Sequence, residues 1–392
     1  MITQESVLQM PDSKLCKQEI RSCAKCKVAA TGRCAGCCGL PSGDDKASKA
    51  PYYCSRTCQV LDRAAHRALC KQLQDRRALY RVGEIYQLIF YAWSEMVFQN
   101  TTSKLTYAED SIVAHRKHLR YVGYTPFPPI EIVPPQYKNS LLAANQCTNA
   151  LGFFRTLLDK LLADVSVDSH ELSVNILKMP RRIIWKGVDG IKDPMTHRHE
   201  VLGIQLRSGE HFIVDATSTQ FGFPDCETVV PWEQYLESRD CRVRETRPFG
   251  YWSRNLFNRW SPDPATVAVR AMLDQTIEDP TLLAGIRRAM MKASNQDFAV
   301  ERDAFVRVVV EQLRSCIADL HRPDGMFEKI HGHSVLRSAP QEAREELERS
   351  LGAEADDGNN ETRYQEPEDS HTKDLDTSGI LKPVSQPHLR QP

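Results

Sequence analysis

The sequence predicts an α+β protein in which a small cysteine-rich module precedes a larger domain of helices and strands. Two observations predict this fold class. Paired cysteines with regular spacing are concentrated between residues 23 and 70, and helical periodicity then flanks a central block of strand-like runs. Hydrophobic residues make up 41% of the 392 positions, which is enough for a sizeable core beyond the cysteine-rich module.

The cysteine-rich module contains four pairs of residues that commonly bind metals. In chain order they are Cys23, Cys26, Cys34, Cys37, Cys54, Cys58, His66 and Cys70. Tetrahedral zinc takes four thiolate or imidazole ligands, and a CxxC pair can bring two sulfurs to one ion, so eight ligands indicate two zinc ions. Residues 55–72 lack Pro and Gly, which predicts a helix with His66 and Cys70 on one face.

This stretch resembles the MYND zinc finger, and the whole chain resembles fungal MYND-finger proteins. The run 53–59 (YCSRTCQ), followed by Asp62, His66 and Cys70, follows the second half of the family pattern. The resemblance implies two interleaved structural zinc sites that leave no position open for water. It assigns Cys23, Cys26, Cys54 and Cys58 to one site, and Cys34, Cys37, His66 and Cys70 to the other.

Three features depart from the family pattern. Cys38 lies beside Cys37 and could replace it as a ligand, and the polar segment 39–51 is a long insertion that predicts a loop. The family implies a peptide-binding surface formed by a Gln and a Trp. Gln59 is present here, but Arg63 stands where the Trp is expected.

Net charge and hydropathy limit the classes of partner that the sequence predicts. The 51 basic and 51 acidic residues give no net charge, so nothing attracts the whole chain to nucleic acid or anionic lipid. The basic residues of the finger are expected to neutralise its zinc thiolates. No run of eighteen apolar residues predicts a membrane span, and the opening MITQESVLQMPDSK lacks the apolar region of a signal peptide. We therefore expect an intracellular protein, in the cytoplasm or nucleus, with reduced or metal-bound thiols.

The remaining elements follow in order. The finger's last helix is expected to continue through 73–98, and prolines between 126 and 135 predict an extended connector. A helix is predicted at 140–163, strands at 172–179 and 182–185, a hairpin at 199–206 and 210–216, and helices from 264 to 320. The predicted divisions are a flexible arm (1–18), the finger (19–72), a helical and α+β domain (73–337) and an acidic disordered tail (338–392).

The central hairpin also suggests a thiol enzyme. A His opens one predicted strand and an Asp ends the next, a pattern that resembles transglutaminase-like and papain-like folds. That resemblance implies Cys147 as nucleophile, His199 as its base and Asp215 as the group that orients the imidazole. His197 and His211 compete for the role of base. In the simpler interpretation, Cys147 is a small buried core residue.

Several common enzyme classes lack their motifs here. The sequence contains no GxxxxGK[ST] phosphate loop, no GxGxxG after a strand and no HExxH, and the motifs of SET-domain methyltransferases are not found. The leading hypothesis is therefore a regulatory protein whose zinc finger binds a protein or a short peptide, with no expected role for nucleic acid or membrane. The thiol enzyme is the alternative, and a DNA-binding regulator is the lesser one.

Overall fold

A computed structural model describes residues 21–320 of the chain, with gaps at 35, 38, 41–49, 99–101, 117–126, 128–132, 188–189, 193–196 and 260–263. The predicted arm (1–18) and tail (338–392) lie outside the described residues. Cys38 and most of the predicted loop at 39–51 lie outside them as well.

The N-terminal module consists of two short antiparallel strand pairs and one helix. Its strands are β1 (Arg21–Ser22) paired with β2 (Ala29–Ala30), and β3 (Gly32–Arg33) paired with β4 (Tyr52–Tyr53). Helix α1 (Arg56–Leu61) begins after Ser55, whose hydroxyl accepts a hydrogen bond from the Cys58 N–H at 3.2 Å. This cap satisfies one of the backbone donors exposed at the start of a helix.

One long helix joins this module to the larger domain. Helix α2 (Arg63–Met96) carries His66 and Cys70 near its start, and its later turns supply the core residues Leu79, Val82, Tyr86, Ile89, Phe90 and Trp93. These core side chains recur at helical spacing, which confirms the predicted continuation of the finger's last helix. The predicted boundary between residues 72 and 73 therefore falls inside a continuous helix.

The predicted helix at 140–163 is divided into three. The observed helices are α3 (Pro135–Ala143), α4 (Cys147–Phe153) and α5 (Arg155–Leu162). The first break falls at Asn145, which adopts a left-handed φ of 58° and donates its N–H to the Gln220 side chain at 3.1 Å. Pro135 starts a helix instead of extending the connector, because Pro is well tolerated in the first turn. The single-helix prediction was wrong, and Cys147 consequently lies at the start of a helix.

A four-stranded sheet lies beside α3 in the order β5-β6-β8-β9. Its strands are β5 (Thr102–Tyr107), β6 (Ser111–Arg116), β8 (Arg182–Gly187) and β9 (Gly190–Lys192). Strands β6 and β8 run parallel, and the other two pairs are antiparallel.

The central sheet has five antiparallel strands in the order β12-β11-β10-β7-β13. They are β7 (Ser166–Ile176), β10 (His197–Leu206), β11 (His211–Val214), β12 (Val229–Pro231) and β13 (Cys241–Pro248). Strands β10 and β11 form the predicted hairpin, with Leu202 opposite Val214. Alternate residues of β10 face opposite sides: Leu202 and Ile204 contribute to the main core, and Val201 contributes to a smaller one.

Helices complete the C-terminal part of the described chain. They are α6 (Trp232–Arg239), α7 (Tyr251–Arg254), α8 (Pro264–Ile277), α9 (Pro280–Lys292) and α10 (Asn295–Leu320), with a π-helical turn at Asn255–Arg259. Buried Arg81 of α2 donates hydrogen bonds of 2.9–3.0 Å to the carbonyls of Ala289, Met290 and Ala293. A cation at the end of a helix satisfies its last carbonyls, so this contact fixes α9 against α2.

Candidate metal centres and a candidate thiol site

The first metal centre brings together residues from both halves of the finger. Ligand atoms of Cys23, Cys26, Cys54 and Cys58 all lie within 4.8 Å of one another. The Cys26 and Cys54 sulfurs are 3.4 Å apart, and those of Cys54 and Cys58 are 3.6 Å apart. The backbone N–H of Cys26 is the main cause that lowers the pKa of Cys23 to about 6, whereas the Cys26 side chain is the main cause that raises the pKa of Cys54 to about 12.

The second centre combines the other four predicted ligands, Cys34, Cys37, His66 and Cys70. His66 and Cys70 lie one turn apart on α2, as predicted. The Cys37 sulfur is 3.0 Å from His66 Nε2, and the sulfurs of Cys34 and Cys70 are 3.8 Å apart. Burial lowers the pKa of His66, so its imidazole is neutral and available as a ligand.

The donor set fits tetrahedral zinc. Sulfurs bound about 2.3 Å from a tetrahedral ion lie about 3.8 Å from each other, close to the observed separations. Each site has four protein ligands, so the zinc ions are structural. The Gln74 side chain donates a hydrogen bond to the Cys70 sulfur at 3.3 Å and supports this ligand from outside the site. Cys37 occupies the fourth position of the second site, and Cys38 lies outside the described residues.

The outer face of the finger exposes apolar and basic side chains. Val60 and Leu61 of α1 are 61% and 62% exposed, and Arg63 at the start of α2 is exposed as well. Gln59 is half-buried, and its side chain lies close enough to the Cys34 sulfur to hydrogen-bond with it. The face that would carry the family's Trp is thus present but has a basic residue in that position.

The central sheet contains a buried imidazole and carboxylate pair. His199 Nε2 on β10 lies 2.8 Å from Asp215 Oδ2, and both side chains are almost completely inaccessible to solvent. Asp215 directly follows β11, and in the hairpin register its position is diagonal to that of His199. Strand pairing therefore brings together two residues that are sixteen positions apart in the sequence.

Three further groups hold the Asp215 carboxylate. Tyr235 donates its hydroxyl to Oδ2 at 2.8 Å, and Thr217 donates its N–H and hydroxyl to Oδ1 at 3.0 and 3.1 Å. Neither residue is predicted from the sequence. The Asp-x-Thr spacing could have indicated Thr217, because such a Thr often bonds the Asp side chain locally. No sequence signal connects Tyr235, twenty residues away on α6, to this carboxylate.

The pair carries opposite charges at neutral pH. Burial lowers the pKa of His199, but the neighbouring Asp215 carboxylate outweighs burial and raises that pKa to about 10. Burial likewise raises the pKa of Asp215, and the positive charge of His199 outweighs it, so that pKa falls below its ordinary value of 3.8. His199 is therefore protonated beside an ionised Asp215.

Cys147 lies close to this imidazole. Among the described residues, none completes a well-formed hydrogen bond to the buried His199 Nδ1. The half-buried Cys147 thiol, at the start of α4, is close enough to contribute to the raised pKa of His199. Of the competing histidines, His211 is half-buried on the neighbouring strand opposite Gln205, and the His197 side chain lies outside the described set. The structure thus brings Cys147, His199 and Asp215 together.

Comparison with known proteins identifies the N-terminal module. Residues 23–70 match the family model of the MYND finger, which binds two zinc ions and mediates protein–protein interactions. No curated protein and no solved structure matches the chain, so the transglutaminase-like and papain-like resemblance of the central region has no support from relatives. Within the described residues, no helix is both long and apolar enough to cross a membrane.

Proposed function

We propose that this chain, with its MYND finger at residues 23–70, is an intracellular regulatory protein that binds a short peptide of a partner through the finger. One observation carries the proposal: both metal sites are completed by protein ligands, while the adjoining face of α1 has no buried residue. The metal therefore has no position for a substrate, and the finger offers a rigid surface instead.

The peptide-binding surface is expected to centre on Gln59, Val60 and Leu61. Exposed apolar side chains on a helix that is held rigid by the metal sites can bury apolar surface against a partner, and the backbone loses little conformational entropy when they do so. The side chain of Gln59 borders this surface and can hydrogen-bond the backbone of an extended peptide. Arg63, in place of the family's Trp, would select an acidic residue at the corresponding position of the ligand.

A displayed peptide library, selected on the zinc-loaded full chain, tests this proposal. Fluorescence anisotropy then gives the affinity of the enriched peptides for Val60→Asp, with Val300→Asp as the matched control. Val300 is 65% exposed on α10, outside the finger and on a different helix from Val60. We expect at least a tenfold loss for Val60→Asp and no change for Val300→Asp. Equal binding by both variants, or by the zinc-free chain, would contradict the proposal.

A second candidate function is thiol chemistry at Cys147, favoured by the buried His199–Asp215 pair. An imidazolium beside the sulfur stabilises its negative charge. In such a reaction the Cys147 sulfur attacks the carbonyl carbon of an ester or amide, forming a thioester. The leaving group departs with a proton from His199, and water or an amine then breaks the thioester and regenerates the thiol. Asp215 holds the ring throughout.

Alkylation by iodoacetamide tests the reactivity that this chemistry requires. Rates are measured on the native chain at pH 6–7, with the labelled residue identified by mass spectrometry. Exposed Cys226 provides an internal reference for a solvent-accessible thiol. We expect Cys147 to react at least tenfold faster than Cys226, and the fast reaction to disappear in His199→Gln. A Cys147 that reacts only after unfolding would be a core residue and would exclude thiol catalysis.

A further inference from the structure

The finger carries more positive charge than its zinc sites can neutralise. Between residues 21 and 71, the described residues include eight exposed basic side chains and one acidic residue, Asp62. The basic residues are Arg21, Lys25, Lys27, Arg33, Arg56, Arg63, Arg67 and Lys71. A four-thiolate zinc site carries about −2 and a three-thiolate site about −1. Arg21 and Arg33 have further partners of their own, so the other six basic residues, Asp62 and the two zinc sites leave a surplus of about two positive charges.

Much of this charge lies along one helix face together with an exposed valine. Arg56, Val60, Arg63, Arg67 and Lys71 follow each other at intervals of three or four residues, and we call this face the basic stripe. Helical hydrogen bonding continues through the junction of α1 and α2, because Asp62 donates to the Cys58 carbonyl at 3.1 Å and accepts from His66 at 2.9 Å. The five side chains therefore share one surface.

Asp62, between Val60 and Arg63, is the acidic residue within the stripe. It is half-buried, and its carboxylate accepts a hydrogen bond of 2.8 Å from the Tyr53 hydroxyl on the inner side of the finger. Leu61 lies next to Val60 and is equally exposed. A ligand for this face would therefore combine several carboxylates with aliphatic side chains.

The chain itself contains a segment of this chemistry. Residues 342–369 include eleven acidic and three basic residues, a net charge of −8, together with Leu347 and Leu351. This segment is separated from the end of α10 at Leu320 by 21 residues. Resting on the proposed function of the finger, we propose that residues 342–369 dock on the basic stripe and cover it until a partner peptide displaces them.

The linker is long enough for this contact. Asn295, at the start of α10, accepts a hydrogen bond from Arg81 of the finger-bearing helix, so α10 starts close to α2. The 26 residues of α10 extend about 39 Å from that point. An extended chain of 21 residues reaches about 70 Å. A tether of this length gives the attached segment an effective concentration on the order of millimolar, so a weak intrinsic affinity is sufficient.

A competition experiment tests the docking. A fluorescein-labelled synthetic peptide of residues 340–369 is titrated by anisotropy onto the zinc-loaded full chain and onto a full-chain variant with a neutralised tail. The variant carries E345Q, E346Q, E348Q, D356N and D357N, which reduce the net charge of residues 342–369 from −8 to −3, and it is called the neutralised chain for brevity. We expect binding to the variant that weakens with added NaCl, and at least tenfold weaker binding to the wild-type chain, because its own segment competes.

Matched charge reversals locate the surface. In the neutralised background, Arg63→Glu with Arg67→Glu should reduce peptide affinity at least tenfold, and Arg307→Glu with Arg314→Glu on exposed positions of α10 should not. Zinc content and circular dichroism verify that each variant is folded. Equal affinity for the wild-type and neutralised chains, or absence of binding to both, would overturn the proposal.

Two further outcomes separate this inference from the proposed function. If library peptides bind at Val60 while the 340–369 peptide does not, the finger binds peptides and the self-docking inference alone is wrong. If neither binds, both are wrong. A DNA duplex is titrated in parallel: duplex binding through Arg63 and Arg67 with a steep salt dependence, without peptide binding, would identify nucleic acid as the occupant and overturn the inference.

Discussion

Replacement of Asp215 by Asn tests the buried pair most directly, since it removes a charge with almost no change of volume. The carboxylate accepts four hydrogen bonds, two on each oxygen, from His199, Tyr235 and Thr217. The amide oxygen of the new side chain can keep the two bonds from Thr217, but its NH2 group then faces His199 Nε2. We therefore expect a neutral imidazole whose proton has moved to Nδ1.

Two magnitudes follow from this change. Breaking a buried ion pair costs about 3–5 kcal/mol. Because the two hydrogen bonds from Thr217 are retained, we expect the free energy of unfolding to fall by about 3 kcal/mol, at the lower end of this range. Loss of the imidazolium also removes a positive charge close to the Cys147 sulfur, so alkylation of Cys147 should slow by at least about tenfold.

The pH dependence of stability provides an independent signature. The raised pKa of His199 contributes stability that is complete below its unfolded value of 6.5 and disappears as the pH rises through about 10. The lowered pKa of Asp215 contributes stability above 3.8, which disappears as the pH falls through the lowered value. Wild-type stability should thus decline between about pH 7 and 10, and Asp215→Asn should flatten that decline.

Urea denaturation at pH 6, 8 and 10, together with iodoacetamide rates at pH 6.5, measures these effects. Asp168→Asn, at an exposed position of the same sheet, is the matched control and should leave both quantities unchanged. An Asp215→Asn variant with wild-type stability and a wild-type alkylation rate would refute the charged pair and the thiol hypothesis that depends on it.

Three further predictions concern the finger and its supporting helix. Cys37→Ser should lower the zinc content, measured by elemental analysis, from two ions to one, because the structure places Cys37 in the second site. Cys38→Ser should leave two zinc ions. The opposite result would show that Cys38 is the ligand in place of Cys37. Gly83→Ala should destabilise the chain by about 1–3 kcal/mol in chemical denaturation, because the added carbon would lie 2.3 Å from a Val229 methyl. The control Gly285→Ala adds a carbon with no atom within 4 Å, and it should stabilise the chain by about 0.4–1 kcal/mol. Chelation of zinc at pH 7 should abolish hydrogen-exchange protection in the finger and preserve it in the central sheet, because the two regions have separate hydrophobic cores. Simultaneous loss of protection in both regions would contradict this separation.

The sequence predicted those features that depend on short-range spacing. Zinc geometry requires ligand pairs at fixed intervals, so all eight clustered residues could be read from the chain. The turn around Gly209 fixed the register of the hairpin, and the register in turn placed His199 near Asp215. The helix predicted at 73–98 followed from the helical spacing of its apolar residues.

Features that depend on distant contacts could not be predicted in this way. The break at Asn145 relies on a hydrogen bond to Gln220, 75 residues later in the chain. Tyr235 reaches Asp215 only because α6 packs on the sheet, and β13 joins that sheet by pairing with β7 from far earlier in the sequence. Local propensity carries no information about such partners, since tertiary context selects them.

Helix α2 fixes the distance between the finger and the region around Cys147. Cys70 holds zinc at one position, and sixteen residues later Tyr86 is buried near Asp215 and Cys147. At 1.5 Å per residue this spacing is about 24 Å along the axis. An extended polypeptide covers that distance with about seven residues. Because the helix is continuous, the spacing between the finger and Cys147 is constant. Under the thiol function proposed above, a chain anchored on the finger would therefore present to Cys147 a residue at a fixed number of positions from its anchor.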